Sequence, residues 1–329
     1  MPRWSTLLDE ATLDEMSELP AEAVIGHAES TFASRPTYQT LYRAWDRQHW
    51  SSEELDFERD AEQWKRIPKA TRRRLERLIR HFLIGEYSGL DLLAPISLCA
   101  PDEDALLYLG TQVGDEARHT RLLDRIAREA ALLESDGLRA ALTESWREAT
   151  PAQKALNRFE AELVGSLTSG TAGYDEWMRT VAVFHLVTEG VLALPAQRGL
   201  VRTLSGGTML QNVKAGFVAM TRDEARHVAF GIEALRRGVG AHGTPARVDA
   251  TAESLRRALA LAVAVELPET PTEEERDEAL LFARDMEAEA HRRLRLLDLP
   301  AGVVQWIGSG IADAVEAVAA APTVERAPA

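Results

Sequence analysis

Apolar side chains recur along the chain at intervals of three and four residues, which is the period of an amphipathic α-helix. We find no convincing run of alternating β-branched residues of the kind that predicts a β-strand. The pattern therefore predicts an all-α protein. Helices are predicted at about residues 38–49, 71–98, 102–133, 137–149, 151–170, 175–204, 208–238, 247–265, 272–297 and 301–320.

The connections between these helices are short and give no sign of a domain boundary. The stretch SSEELDFERDAEQW is predicted to form an acidic connection or a short helix, with Ser51 or Ser52 as its N-cap. No Pro/Gly/Ser-rich linker divides the chain, so we predict a single domain over residues 1–329, with a flexible tail at 321–329.

Composition and charge narrow the class of protein. The chain has 329 residues, 45% of them hydrophobic, and its 38 basic and 52 acidic residues give a net charge of −14. This balance argues against a general nucleic-acid binder, because phosphate neutralisation needs concentrated Lys and Arg. Cys99 is the only cysteine, which excludes an intramolecular disulfide or a thiolate cluster and fits a reducing compartment. The N-terminal segment does not resemble a secretory signal, and no apolar run approaches the roughly 20 residues that span a bilayer. We therefore expect a soluble cytoplasmic protein without a membrane partner.

The pentapeptide DEARH occurs twice, at Asp115–His119 and again at Asp223–His227. On an α-helix, residues three apart lie on one face, so the Glu and the His of each copy can point at a common centre. A single exposed Glu-x-x-His is usually no more than a solvated helix face. Two identical copies on separate long helices instead favour a shared metal site.

Two further helices each carry a glutamate in apolar surroundings. Glu86 lies within HFLIGEYSGLDLL and Glu189 within VFHLVTEGVLAL. An ionised carboxylate is costly to bury unless it is paired or binds metal, although either residue could instead face solvent. A dinuclear carboxylate site in a helical bundle takes Glu-x-x-His from two helices and one Glu from each of two others. The order Glu86, Glu116/His119, Glu189, Glu224/His227 supplies this set.

The charge and type of these ligands indicate which metals they suit. Four carboxylates balance two divalent ions, and oxygen and imidazole ligands suit iron or manganese. Without metal, the converging carboxylates would repel one another, so some of them should hold protons with raised pKa values.

At these residues the chain resembles the ferritin-like superfamily, specifically the ribonucleotide reductase small subunit and the related ligand-binding oxidases. The similarity runs from about Tyr42 to Gly238. It implies a ferritin-like four-helix bundle at about residues 71–238, flanked by additional helices that include those at about 247–320. It also implies a di-iron or manganese/iron centre and a homodimer. By this resemblance the metal ligands are Glu86, Glu116, His119, Glu189, Glu224 and His227.

The resemblance also suggests roles for three residues near the ligands. Asp223 matches an aspartate that bonds a ligand histidine, which here would be His119. Trp50 has the spacing of the family's electron-entry tryptophan, although a core aromatic is an equal reading. His185 lies four residues before Glu189 and could be an extra ligand, although a hydrogen-bonded core histidine is the simpler reading.

Several positions depart from the family pattern. The radical-bearing tyrosine of the reductase subunit is replaced by Leu123, and the C-terminal TVERAPA has no aromatic residue for docking a large subunit. The tyrosine–valine cross-link of the ligand-binding oxidases cannot form, because Phe184 and Gly89 occupy those positions. Bulky aromatics that follow the third glutamate in the reductase subunit are replaced by Ala193 and Gln197, which predicts more open space for a substrate.

These observations favour an O2-activating dinuclear oxidase or oxygenase that hydroxylates, N-oxygenates or desaturates a small organic substrate. Its expected partners are O2, the substrate, an electron donor and a second copy of the chain. Two alternative functions stay open. One is a radical-generating ribonucleotide reductase small subunit, and the other is a metal-storage or structural metal-binding protein. A third interpretation is an inactive bundle that keeps the fold without its metals.

Overall fold

The computed structural model describes residues 8–9, 11–169, 173–240 and 243–324, and the regular structure in these ranges is entirely helical. The predicted flexible tail lies partly outside them, at residues 325–329. The α-helices are α1 Leu13–Glu18, α2 Ala21–Ala33, α3 Tyr38–Arg47, α4 Glu58–Trp64, α5 Lys69–Leu98, α6 Glu103–Arg125, α7 Leu138–Glu148, α8 Pro151–Leu167, α9 Tyr174–Val181, α10 Leu194–Ser205, α11 Gln211–Val239, α12 Pro245–Ala262, α13 Glu273–Leu294 and α14 Ala301–Ala319.

Helix starts follow local capping chemistry. Thr12 and Thr272 each form a capping box with a glutamate three residues later. The Asp102 side chain accepts a hydrogen bond from the backbone at the start of α6. Ser51 caps a short 3-10 helix at Ser52–Glu54, as the sequence predicted. These caps satisfy backbone N–H groups that the helices themselves leave unpaired.

The helices agree with the predicted segments except at the N-terminus and at two π-helical stretches. The sequence pattern missed α1, which has only six residues, and α2, whose buried face includes several small side chains. The helix predicted at 102–133 continues from α6 as a π-helix at Ile126–Ala130. The helix predicted at 175–204 contains a π-helix at Ala182–Ala193 between α9 and α10. Such wide turns are frequent at functional sites.

Contacts divide the chain into two compact units, whereas the single domain expected from the sequence stays a prediction. The first unit comprises Met1–Glu148 and Ala193–Phe230. Within it α5 packs along α6, and α3 also lies against α6. Its core is built from aromatic and aliphatic side chains such as Trp64, Phe82 and Phe217.

The second unit comprises Ala149–Leu192 and Gly231–Ala329. Within it α12 and α13 pack against α14, and α8 and α9 pack against α12. Gly231 allows close packing, because a Cβ at this position would lie 2.3 Å from the Cβ of His185. A larger residue would force α11 away from the π-helix.

Among the described residues, one helical stretch, Tyr174–Ser205, is long and apolar enough to cross a membrane by length and composition, and its most apolar window has a mean hydropathy of 1.3. A segment of this kind was not predicted from the sequence. However, 72% of its most apolar window is buried inside the protein. This burial is the pattern of a core helix in a soluble protein.

Candidate metal centre

Five of the six predicted ligands lie in the first unit, and all five are buried. Helix α5 supplies Glu86, α6 supplies Glu116 and His119, and α11 supplies Glu224 and His227. One ligand atom from each of Glu86, Glu116, His119 and Glu224 lies within 4.8 Å of the others. The Glu-x-x-His spacing therefore places both side chains of each pair on the same inward face, as predicted.

Nδ1 of His119 points at three carboxylates. It lies 3.2 Å from Oε2 of Glu86, 3.5 Å from Oε1 of Glu224 and 3.9 Å from Oε2 of Glu116. A ring nitrogen surrounded by carboxylate oxygens at these distances is a ready-made position for a divalent cation.

Nδ1 of His227 occupies an equivalent position at the other side of the same glutamates. It lies 3.2 Å from Oε1 of Glu116 and 3.5 Å from Oε2 of Glu224. Glu116 and Glu224 thus turn one oxygen toward each histidine. Two carboxylates that face two histidines in this way could bridge a pair of metal ions.

The aspartate of each DEARH copy supports the histidine of the other copy. Nε2 of His119 lies 3.2 Å from Oδ2 of Asp223, and Nε2 of His227 lies 3.2 Å from Oδ2 of Asp115. A carboxylate behind a histidine fixes its tautomer and ring orientation, which leaves Nδ1 for the metal. The Asp223–His119 pair was predicted from the sequence. The Asp115–His227 pair was missed, although the repeated aspartate is its signal.

Arg226 joins the two aspartates. Its Nη2 donates to Oδ1 of Asp223 at 2.7 Å and to Oδ2 of Asp115 at 2.9 Å. Arg118 donates to Asp115 and to the carbonyl oxygen of Trp50. The Arg226 side chain is buried at 3% exposure, and it contacts the aspartates behind both histidines.

Two tryptophans, one within α3 and one shortly after it, donate hydrogen bonds to the same aspartates. Nε1 of Trp50 donates to Oδ2 of Asp223 at 2.7 Å, and Nε1 of Trp45 donates to Oδ1 of Asp115 at 3.0 Å. The Trp50 ring is buried and also stacks near His119, with ring centroids 6.3 Å apart. The role of Trp50 in electron entry stays a prediction. The contact of Trp45 was not foreseen.

Two further residues of the first unit bear on substrate space and radical chemistry. Nε2 of Gln197 donates to Oε1 of Glu86 and Oε1 of Glu224, each at 3.4 Å. The Gln197 amide therefore lies against the carboxylates, and the open space predicted from Ala193 and Gln197 stays a prediction. Leu123, at the position of the radical tyrosine, is fully buried.

Two glutamates of the cluster, Glu86 and Glu224, have pKa values shifted in opposite directions. Burial and the nearby charges of Glu116 and Glu224 raise the pKa of Glu86 to about 8, although its hydrogen bond with His119 opposes the change. Burial would raise the pKa of Glu224 too, but its two histidine neighbours lower it to about 2. A carboxyl group with a raised pKa was expected for the metal-free cluster, and Glu86 is that group.

The pKa values of both histidines are raised in the metal-free cluster. Burial lowers the pKa of His119, but its hydrogen bonds with Asp223, Glu224 and Glu86 outweigh burial and raise the pKa well above the ordinary value. Burial also lowers the pKa of His227, but hydrogen bonds outweigh burial and raise the pKa, and the bond with Asp115 has the largest effect among them. A bound cation would take the place of the Nδ1 protons, because imidazole must be neutral at Nδ1 to bind metal.

The donor set of the first unit fits metal. Oε1 of Glu116 and Oε2 of Glu224 are buried oxygens without a hydrogen-bond partner among the described residues. They lie 3.2 and 3.5 Å, respectively, from Nδ1 of His227. Buried carboxylate oxygens need a partner, and a divalent ion would provide it. The buried carboxylate and histidine cluster could therefore hold two metal ions.

The second unit also contains buried titratable residues. Glu189 and His185 lie in the π-helix Ala182–Ala193, where the His185 ring meets Phe184 edge-on at 4.9 Å. Their predicted roles as ligand and extra ligand stay predictions. Glu160, which the sequence analysis did not consider, accepts a hydrogen bond from Thr188, and burial raises its pKa to about 7.

The metal-free protein is expected to lose stability as the pH rises from about 5 to about 8, and Glu86→Gln is expected to reduce that loss. The folded-state pKa of Glu86 is about 8 against an ordinary 4.5, so the native state retains a proton that the unfolded chain releases within this window. Stability then falls with pH by up to about 1.4 kcal/mol per unit. Urea unfolding of both metal-free proteins at three pH values measures the difference. Parallel curves would contradict the assignment.

Comparison with known proteins supports the fold and identifies the family. The model of the family "Ribonucleotide reductase, small chain" matches residues 33–268, which is more than two thirds of the chain. The R2-like ligand-binding oxidase from Sulfolobus acidocaldarius is similar with a TM-score of 0.66 and 18% identity, over 82% of this chain and 93% of that chain.

Two single-residue variants of an R2-like ligand-binding oxidase, with anaerobically reconstituted Mn/Fe cofactor, are also similar. One has a TM-score of 0.55 and 15% identity, over 86% of this chain and 92% of that chain. The other has a TM-score of 0.56 and 16% identity, over 85% of this chain and 92% of that chain. At these identities the likeness shows the fold, and it confirms the predicted all-α, ferritin-like architecture. The family match shows that the chain belongs to the ribonucleotide reductase small chain family.

Proposed function

We propose that this protein is an O2-activating dinuclear metal oxidase or oxygenase that acts on a small organic substrate by hydroxylation, N-oxygenation or desaturation. One observation carries the proposal: in the first unit, Nδ1 atoms of two buried histidines face a shared pair of glutamates, Glu116 and Glu224. This arrangement matches the requirements of a two-metal site rather than those of a structural ion pair.

The proposed cofactor is Fe/Fe or Mn/Fe. The oxygen and nitrogen donors suit both metals, and similar solved structures are described with an Mn/Fe cofactor. Glu86, Glu116, His119, Glu224 and His227 would hold the ions. Glu189 is proposed as the sixth ligand on the basis of its position in the sequence and the family resemblance.

When bound, the two ions supply the electrons for the reduction of O2. The protein contributes the fixed surroundings. Asp115 and Asp223 hold both imidazoles in one orientation, and Gln197 donates to two of the carboxylates. The cluster lies in a buried region of the first unit, which limits the access of water and of competing reactions.

We also propose the partners and the cellular location of the protein. Its partners are O2, the organic substrate, an electron donor and a second copy of the chain, since the family resemblance implies a homodimer. The single cysteine supports a cytoplasmic location.

The second candidate function is that of a radical-generating ribonucleotide reductase small subunit, which the family match favours. Leu123 argues against it, because an aliphatic side chain cannot form a stable tyrosyl-type radical at this position. A metal-storage protein is the remaining alternative from the sequence analysis. It would take up many ions per chain within a shell-like assembly.

The experiment that separates these functions begins with metal-free protein loaded anaerobically with Fe(II), or with Mn(II) and Fe(II). We expect two ions per chain, with anomalous scattering at the cluster, and consumption of O2 when air is admitted. A large reductase subunit with nucleotide should produce no deoxynucleotide. Deoxynucleotide formation would support the reductase subunit instead, and uptake of many ions per chain would support storage.

A further inference from the structure

A concentrated run of positive charge interrupts this acidic protein. In KRIPKATRRRLERLIR, residues 65–80, eight side chains are Lys or Arg and one is acidic, although the whole chain carries −14. Most of the run, residues 69–80, forms about the first three turns of α5. Lys69, Arg73, Arg74 and Arg77 are all exposed, and we call these four residues the basic stripe.

The basic stripe is not neutralised within the described part of the chain. Neighbouring cations do have acidic partners: Lys65 pairs with Glu62, Arg72 with Glu76, and Arg80 with Glu144 and Glu148. None of the four stripe residues forms a salt bridge or side-chain hydrogen bond with another residue in the described ranges. Their charges are therefore available to a partner.

The placement of these cations opposes the intrinsic preferences of a helix. The N-terminal end of a helix carries partial positive charge and favours acidic residues, yet the first turn of α5 contains none. Lys69, Arg73 and Arg77 follow one another at intervals of four residues, which places like charges side by side on one face. Sequences that break local rules in this way commonly do so at functional sites.

The stripe extends along one side of the helix for about 12 Å, because eight residues rise by 1.5 Å each. Such a line of exposed positive charges is complementary to an extended acidic surface on a partner protein. Complementary charge on a partner protein speeds encounter and sets orientation, and this effect weakens with salt.

We propose that the basic stripe is the docking surface for a small acidic one-electron carrier protein, of the iron–sulfur or flavin class, that reduces the metal pair. This inference rests on the proposed function, which consumes electrons at a site partly built on the same helix through Glu86. Two carrier molecules would each lose one electron, and the two metal ions together would gain two. No bond is formed or broken in this step.

The experiment compares Arg73→Glu/Arg77→Glu with a control of equal charge change, Arg158→Glu/Arg284→Glu. The control residues are exposed and belong to the second unit. The probes are a plant-type [2Fe–2S] ferredoxin and a flavodoxin, both acidic. Binding to the metal-free chain is measured by fluorescence anisotropy at low and physiological salt. Reduction of the metal-loaded chain is measured by stopped-flow absorbance, with dithionite as a small reductant that needs no docking surface.

We expect the stripe variant to bind at least one carrier about tenfold or more weakly at low salt, and to be reduced by it correspondingly more slowly. The control should change less than about twofold, and dithionite should reduce all the proteins equally. Equal carrier binding by the stripe variant and the control would overturn the proposal. It would also be overturned if the stripe affected binding only to duplex DNA or to anionic phosphatidylserine vesicles. Failure of the dithionite-reduced protein to consume O2 would instead refute the proposed function, because carrier binding is measured without metal.

Discussion

Replacing Glu189 with alanine is expected to reduce tightly bound metal from two ions per chain to one or none. Glu189 is 4% exposed and is surrounded in sequence by apolar or small residues, so an ionised carboxylate here needs a positive partner. Its removal also leaves three glutamates to balance two divalent ions. We expect the affinity for at least one ion to fall more than about 100-fold. Mutation of residues that only hydrogen-bond to metal ligands already lowers metal affinity by about 10–100-fold. Metal analysis after equilibrium dialysis against a chelator measures the loss.

The matched control is Glu160→Gln. Glu160 is another buried glutamate of the second unit, and it accepts a hydrogen bond from Thr188, the residue before Glu189. Its carboxyl group is not among the proposed ligands, so this variant should retain two ions. If Glu189→Ala held both ions as firmly as the parent protein, Glu189 could not be a ligand. Equal loss of metal in the control would show that the effect of Glu189→Ala is structural and does not support ligation.

Much of the helical architecture was readable from the sequence because the apolar period is strong over long segments. Helices α5 and α11 lie close to their predicted bounds, and α6 begins within one residue of its predicted start. The pattern failed where burial depends on small side chains. In α2 the buried face includes Ala21, Val24 and Ala28, whose weak hydrophobic contrast gives little periodic signal. The π-helical turns were also unpredictable, because the period of 3.6 residues does not describe them.

At the site, contacts set by residue spacing within one helix were predicted, whereas some contacts set by packing between helices were not. Spacing within one helix fixed which face carries Glu116 and His119, and this part was predicted. Partners across helices depend on how α6 and α11 face each other, which a single sequence does not state. The Asp115–His227 contact and the Gln197 amide are of this kind. The burial of Arg226 was not predictable from the sequence, because charged residues are rarely buried unless they have partners.

The last prediction tests whether the two histidine supports form one connected unit. Arg226→Met is expected to destabilise the metal-free protein by about 3–5 kcal/mol, because it leaves buried acidic groups without their cation. Arg226 donates to both Asp115 and Asp223, and it lowers the pKa of Asp223 well below the ordinary range in spite of burial. Denaturant unfolding of the metal-free protein measures this loss. Metal affinity should fall at both sites, since each aspartate orients one ligand histidine.

Arg118→Met provides the comparison, because Arg118 has the same place in the first DEARH copy. It is partly exposed, and its partner Asp115 keeps the hydrogen bonds from Trp45 and Arg226 after the change. We therefore expect a loss of stability no more than about half as large. A substitution of Arg226 that cost no more than Arg118→Met would show that the two supports act separately. The repeated pentapeptide would then be two independent copies of one local motif, without the shared arginine that makes them a single structure.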